Sequence, residues 1–212
     1  MSPRGQTRTA GAKTDGADAA KSSSRRDELL ATASQMFAEN GLRSTTVRDI
    51  ADAAGILSGS LYHHFDSKES MVDEILRRFL DDLFEKYRAI AASGLSATET
   101  LRRLVIASFE SIDAERNAVA IYQDEAKRLS SQERFSYISE LNVEFRQLWH
   151  AVLQRGVDEG EFRPDLDVEL VYRFMRDTVW VAVRWYRPGG ALSVEKIADQ
   201  YLSIVLDGIL PR

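Results

Sequence analysis

Apolar residues recur along this chain at helical rather than strand spacing. Leu29, Ala33, Met36 and Phe37 fall at i, i+4, i+7 and i+8, which gives a helix opening near Arg25 one core-facing side. It ends at Asn40-Gly41, a pair suited to a left-handed cap. Val47, Ile50, Ala51 and Ala54 form the apolar side of a short second helix, capped by Thr45 or Thr46 and ended by Gly55. Thr46 and Asp49 have capping-box spacing. A third short segment covers 59–65. Asp66 or Ser67 then caps a long helix whose stripe is Met71, Ile75, Leu76, Phe79, Leu83 and Tyr87.

The pattern stays helical to the end. Gly94 and Ser96 interrupt the chain, and Leu101, Leu104, Val105, Ser108, Phe109 and Ile112 make the next stripe. A shorter helix covers 117–129. Ser130 and Glu133 have the spacing of a second capping box, expected to open a long helix with Phe135, Ile138, Asn142, Phe145, Trp149 and Val152 on one side. Gly156 and Gly160 weaken its end and Pro164 terminates it. Residues 170–186 are strongly apolar, Arg187-Pro188-Gly189-Gly190 is a turn, and 193–210 forms the last helix. No stretch alternates β-branched and polar residues for long, so the expected fold class is all-α.

Composition removes several kinds of chemistry. The chain has 212 residues, and its 44% hydrophobic and 29% charged content suits a globular protein with a sizeable core. It has no cysteine, which excludes a disulfide framework, a zinc ribbon, an iron–sulfur cluster and a thiol nucleophile. No apolar run approaches the ~20 residues of a membrane span, and the N-terminus lacks the apolar core of a secretory signal. A cytoplasmic protein without a membrane partner is expected. Neither a nucleophile elbow nor a glycine-rich phosphate loop is present, so neither an enzyme nor a bound cofactor is expected. His63 and His64 are adjacent and point ~100° apart on a helix. His150 has no carboxylate three or four residues away. A metal site is not expected at either place.

The net charge of −5 argues against nucleic acid, but its distribution does not. Residues 1–26 hold six basic and two acidic side chains, a balance of +4. The balance through Lys68 is +1, which leaves −6 for the rest. Residues 1–24, rich in Ser, Gly, Ala and Thr, are expected to form a disordered basic arm.

The window 45–68, TTVRDIADAAGILSGSLYHHFDSK, carries the functional signal. Two short helices separated by a glycine-containing turn make helix-turn-helix geometry. Leu61 and Phe65, four apart, anchor the second helix, which leaves Ser58, Gly59, Ser60, Tyr62, His63 and His64 outward or sideways. Small residues at its start let the backbone approach a phosphate. Tyr62 and His63 are suited to phosphates or base edges. Arg25, Arg26, Arg48 and Lys68 are candidate phosphate neighbours.

Phe37, Gly41, the run 45–51, Ala54-Gly55-Ile56, the run 59–65 and Lys68-Glu69 together resemble the TetR family of one-component repressors. The likeness covers 25–72; beyond it the chain matches only in size and helical character. It implies a three-helix head (25–70) followed by a six-helix ligand-binding and dimerisation body (71–212). It also implies a homodimer on double-stranded operator DNA. Its DNA contacts would lie among Thr45, Thr46, Arg48, Ser58, Gly59, Ser60, Tyr62, His63 and Lys68. The family usually has Ser or Thr after the position of Ile56, and this chain has Leu57. Either Ser58 caps the recognition helix or the helix starts later. The phrase GILSGSLYHHF and the ADQYL near residue 200 look most like actinobacterial members that control lipid or sterol catabolism. In that subgroup the effector is often a CoA thioester.

Residues 170–186 carry apolar side chains all round. Leu170, Val171, Phe174, Met175, Thr178, Val181, Ala182 and Trp185 make one wide face, expected toward the core. The other holds Tyr172, Trp180 and Val183 among Arg173, Arg176, Arg184 and Arg187. Either Trp180 is dimer-interface core with snorkelling arginines, or Arg176 and Trp180 hold an anionic ligand. An apolar ligand portion is expected around Phe109, Phe145, Trp149 and Phe174. The alternative class is a helical lipid carrier without DNA binding, in which the outward polar set of 58–64 has no role.

Overall fold

The computed structural model describes residues 14–209, with side chains from residue 24 onward. Its chain divides into two compact units, Met1–Met71 and Val72–Arg212. Every regular element among the described residues is helical.

The first unit contains α1 (Thr14–Asn40), α2 (Val47–Ala53), α3 (Ser58–Leu61) and the opening of α4 (Lys68–Ala91). Helix α1 starts earlier than the pattern predicted and runs through the stretch expected to be disordered; residues 1–13 lie outside the described residues. Leu29, Ala33, Phe37, Leu42, Ile50, Ala51, Leu61 and Phe65 are buried. Gly41 ends α1 at φ +83°, and its N–H donates to the Phe37 carbonyl at 3.0 Å. The capping box on α2 is complete: Thr46 accepts from the Asp49 N–H, and Asp49 accepts from the Thr46 N–H at 2.8 Å. Helix α3 is only one turn long and stops short of the expected 59–65; its N-cap, Leu57, makes no side-chain hydrogen bond. Turn bonds from His64 and Phe65 back to Leu61 carry the chain on.

The second unit continues with α4, α5 (Ala97–Ala114), α6 (Arg116–Leu129), α7 (Tyr137–Asp158), α8 (Val168–Val181) and α9 (Val194–Ile209). Helix α5 is central: it packs on α6, α7, α8 and α9, and buries Leu101, Leu104, Val105, Phe109 and Ile112. Its buried Ser108 hydroxyl pairs with Tyr87 at 2.6 Å. Burial in this apolar setting pushes the Tyr87 phenol far up.

Two local expectations change. Ser130 and Glu133 do not open α7; Ser130 is the C-cap of α6, Glu133–Phe135 is a 3₁₀ turn, and α7 starts at Tyr137. Gly156 is interior to α7, not its frayed end. A Cβ there would lie 2.2 Å from the buried Phe162 ring, so glycine is needed for close packing. Gly160, at φ +74°, follows the helix.

Candidate functional site

In the first unit the turn after α2 and the single turn of α3 present an outward polar edge. Leu61 and Phe65 are buried, while Gly59, Ser60, Tyr62 and His63 are exposed, Tyr62 at 54%. Ser58 and His64 are half-buried, and the exposed Leu57 stands beside them. Arg48 extends from α2 and pairs with Asp52 at 3.7 Å. Thr46 is exposed but engaged in its cap.

Two expected contacts have interior work instead. Thr45 is 1% exposed, and its hydroxyl donates to the carbonyls of Gly41 and Met36. This closes the α1–α2 turn and leaves the hydroxyl facing the interior. Lys68 donates to the carbonyls of Leu42 (2.6 Å) and Thr45 (2.9 Å), which ties the start of α4 to the same turn. Two of its three protons are thus committed. Arg25 likewise donates to the Ala54 carbonyl at the end of α2 as well as to Glu28, and Arg26 lies over the Phe65 ring.

In the second unit a cavity of about 500 Å³ opens between α4, α6, α7 and α8. Phe79, Leu80, Leu83 and Phe84 come from α4; Tyr122, Gln123, Ala126 and Lys127 from α6; Asn142, Phe145 and Arg146 from α7; Tyr172, Arg176 and Trp180 from α8; Ser130 completes the lining. The ionisable groups on this wall are three cations and phenols, with no carboxylate among them. Tyr122 donates to the Asn142 carbonyl oxygen at 2.6 Å, and burial pushes its phenol up to about 12. The phenol stays neutral near pH 7, and the charged groups of the wall are Lys127, Arg146 and Arg176, the two arginines paired with Glu169 and Asp177, which do not line it.

Arg176, Trp180 and Phe145 therefore meet at one cavity, as the ligand reading expected. Phe109, Trp149 and Phe174 do not line it. Phe109 is buried against Tyr201, 5.7 Å between ring centres, because α5 is interior. Trp149 stacks behind Phe145 at 5.6 Å. Phe174 points the other way and is 68% exposed. Helix α8 is rotated relative to expectation, although Met175 and Ala182 of the expected core face stay buried. Tyr172, Met175, Val179 and Trp180 are buried, while Leu170, Phe174, Val181 and Trp185 are exposed. Trp180, only 7% exposed, packs on Phe79 and Phe145.

Sequence reasoning also missed the partner of His150. Its Nε2 lies 2.6 Å from Glu169, which comes from another helix, so local spacing carried no signal of it. Glu169 and Asp177 pair with Arg173 and Arg176, the only neutralisation available within this stretch of chain.

A one-turn recognition segment with a buried anchor and an outward polar edge, in a chain that also carries an aromatic-lined cavity bearing cations, defines a helix-turn-helix regulator of the ligand-responsive kind. The comparisons agree. Residues 29–75 match the model for bacterial regulatory proteins of the tetR family, and residues 94–209 match that for the tetracyclin repressor-like C-terminal domain. The chain belongs to the TetR family of transcriptional repressors and is a regulator rather than an enzyme. It is 69% identical over 192 residues to the HTH-type transcriptional repressor KstR2 of Rhodococcus jostii, covering 91% of this chain and 94% of that one. With KstR2 of Mycobacterium tuberculosis it shares 63% identity over 186 residues, 88% of this chain and 93% of the relative. The solved structure of the ketosteroid transcriptional regulator KstR2 of M. tuberculosis superposes with a TM-score of 0.87 at 62% identity, over 89% of this chain and 96% of that one. The carrier alternative falls with this membership. No helix among the described residues is long and apolar enough to cross a membrane.

Proposed function

We propose that the chain binds double-stranded operator DNA as a homodimer in the cytoplasm and is released by a CoA thioester of a lipid or sterol fragment. The observation that carries the effector reading is the cavity wall, aromatic and aliphatic within and bearing Lys127, Arg146 and Arg176 without a lining carboxylate. Such a wall selects an amphipathic anion: an apolar portion is buried and a phosphate takes the arginine forks. Trp180 and Tyr172 offer ring faces to an acyl or ring portion. The description of the M. tuberculosis relative as a ketosteroid regulator supports a steroid-derived apolar part.

The DNA-contacting set is Thr46, Arg48, Ser58, Gly59, Ser60, Tyr62 and His63, with the remaining proton of Lys68 directed to a phosphate. Two recognition segments of a dimer reach successive major grooves about 34–36 Å apart. Helix α4 carries both Lys68 and the cavity residues Phe79 to Phe84. A ligand that prefers one setting of α4 therefore weakens DNA binding by linkage. The test is fluorescence anisotropy on the DNA upstream of the chain's own gene. Thioester should release the duplex, and the free acid at equal concentration should not. Release by the acid as well would overturn the phosphate role of the cations.

A further inference from the structure

Beside the cavity, Glu169 in the first turn of α8 gathers three basic side chains from two helices. Arg146 donates Nε (3.1 Å) and Nη2 (2.8 Å) to one of its oxygens, and His150 Nε2 lies 2.6 Å from the same oxygen. Arg173 donates to the other oxygen at 2.7 Å. Arg146 also lines the cavity. The His150 ring meets Tyr172 edge-on at 5.4 Å, and the Arg176 guanidinium lies 5.6 Å from the centre of that same Tyr172 ring. Glu169 and Arg176 are seven residues apart, which brings them to one side of α8 about 10 Å apart along its axis.

A continuous basic strip thus runs past Tyr172, from Arg176 to Arg146. One carboxylate serves two guanidiniums at its far end, so positive charge is in excess there. Arg146 gives two N–H groups to a single oxygen, an arrangement that a phosphate oxygen accepts equally well. These pairs are exposed enough that they add little to folding stability.

We propose that Arg146, with Arg173 and His150 behind it, is a second anion subsite in which Glu169 is the stand-in carboxylate. The effector then carries two separated phosphate-bearing groups, one held at Arg176 and one at Arg146. This rests on the CoA-thioester reading and sharpens it, because CoA has a pyrophosphate and a distinct ribose phosphate whereas a pantetheine thioester has neither.

The experiment is calorimetric titration of the full chain with decanoyl-CoA and decanoyl-pantetheine. Wild type should prefer the CoA form by about 100-fold or more, and Arg146→Met should lose about 10- to 100-fold for decanoyl-CoA alone. Glu169→Gln, which removes the competing carboxylate, should tighten decanoyl-CoA several-fold, whereas a purely structural ion pair predicts no gain. Equal affinity for the two thioesters in wild type overturns the subsite and leaves the release reading standing. An undiminished preference in Arg146→Met assigns the phosphates to Arg176 alone and overturns the second subsite. No binding of decanoyl-CoA by wild type overturns both readings.

Discussion

The Trp180 indole meets the Phe79 ring edge-on, 6.4 Å between centres and at 82°. With the packing of α8 on α5 and α7, this contact belongs to the arrangement that turns the face bearing Trp180 and Arg176 toward the cavity and leaves Phe174 and Val181 outside.

Trp180→Ala should therefore blunt effector response without changing the dimer. The loss of ring contact is expected to raise the concentration of thioester needed for release by about tenfold or more. Arg176→Met should do the same. Light scattering should still return the mass of two chains for Trp180→Ala. A monomer would return Trp180 to the interface.

The dimer should depend on the outer face instead. Leu170, Phe174 and Val181 on α8, Trp185 in the turn that follows it, and Ile204 on α9 are exposed large apolar side chains that a partner copy would cover. Phe174→Glu is expected to yield a folded monomer by light scattering and to abolish high-affinity operator binding. A two-chain mass in this variant would count against an interface centred on α8.

Tyr62 projects from a segment whose neighbours Leu61 and Phe65 are buried. Tyr62→Ala should weaken operator binding by roughly 1–3 kcal/mol and leave the helical spectrum unchanged. Thr45→Ala, by contrast, should lower thermal stability, because it removes the buried hydroxyl that donates to the Gly41 and Met36 carbonyls.

Glu161 accepts the Ala97 and Thr98 N–H groups at the start of α5, and the Thr98 N–H above all pulls its carboxyl down to about 2. The folded value lies below the ordinary 4.5, so the carboxylate's contribution is complete above pH 4.5 and is lost as pH falls toward 2. Glu161→Ala should cost about 1–2 kcal/mol at neutral pH after allowance for partial exposure. Urea titrations should show the gap to wild type closing between about pH 5 and pH 2.

Gly156→Ala should be more damaging than an ordinary helix substitution, which alanine normally favours. The added methyl would overlap the fully buried Phe162 ring, and overpacking of this kind costs about 1–3 kcal/mol. Phe162→Leu in the same chain should restore part of the loss, as a double-mutant cycle would measure.

What the sequence determined by itself was local. Helix stripes, the Thr46–Asp49 cap, the stops at Gly41 and Gly55 and the outward set around Tyr62 all follow from neighbours within a turn or two, where backbone geometry dictates which side chains meet. Tertiary structure decided the rest. Helix α8 carries apolar residues on two opposite sides, and periodicity marks such sides without saying which one is interior. Only packing against Phe79 and Phe145 made the choice. Thr45 and Lys68 read as surface groups until the α1–α2 turn folded its carbonyls over them. The Glu169 cluster draws Arg146 and His150 from α7, and the cavity draws its wall from four helices. Contacts between residues 19 to 23 positions apart on different helices leave no periodic trace in the chain, because they exist only once those helices are packed side by side.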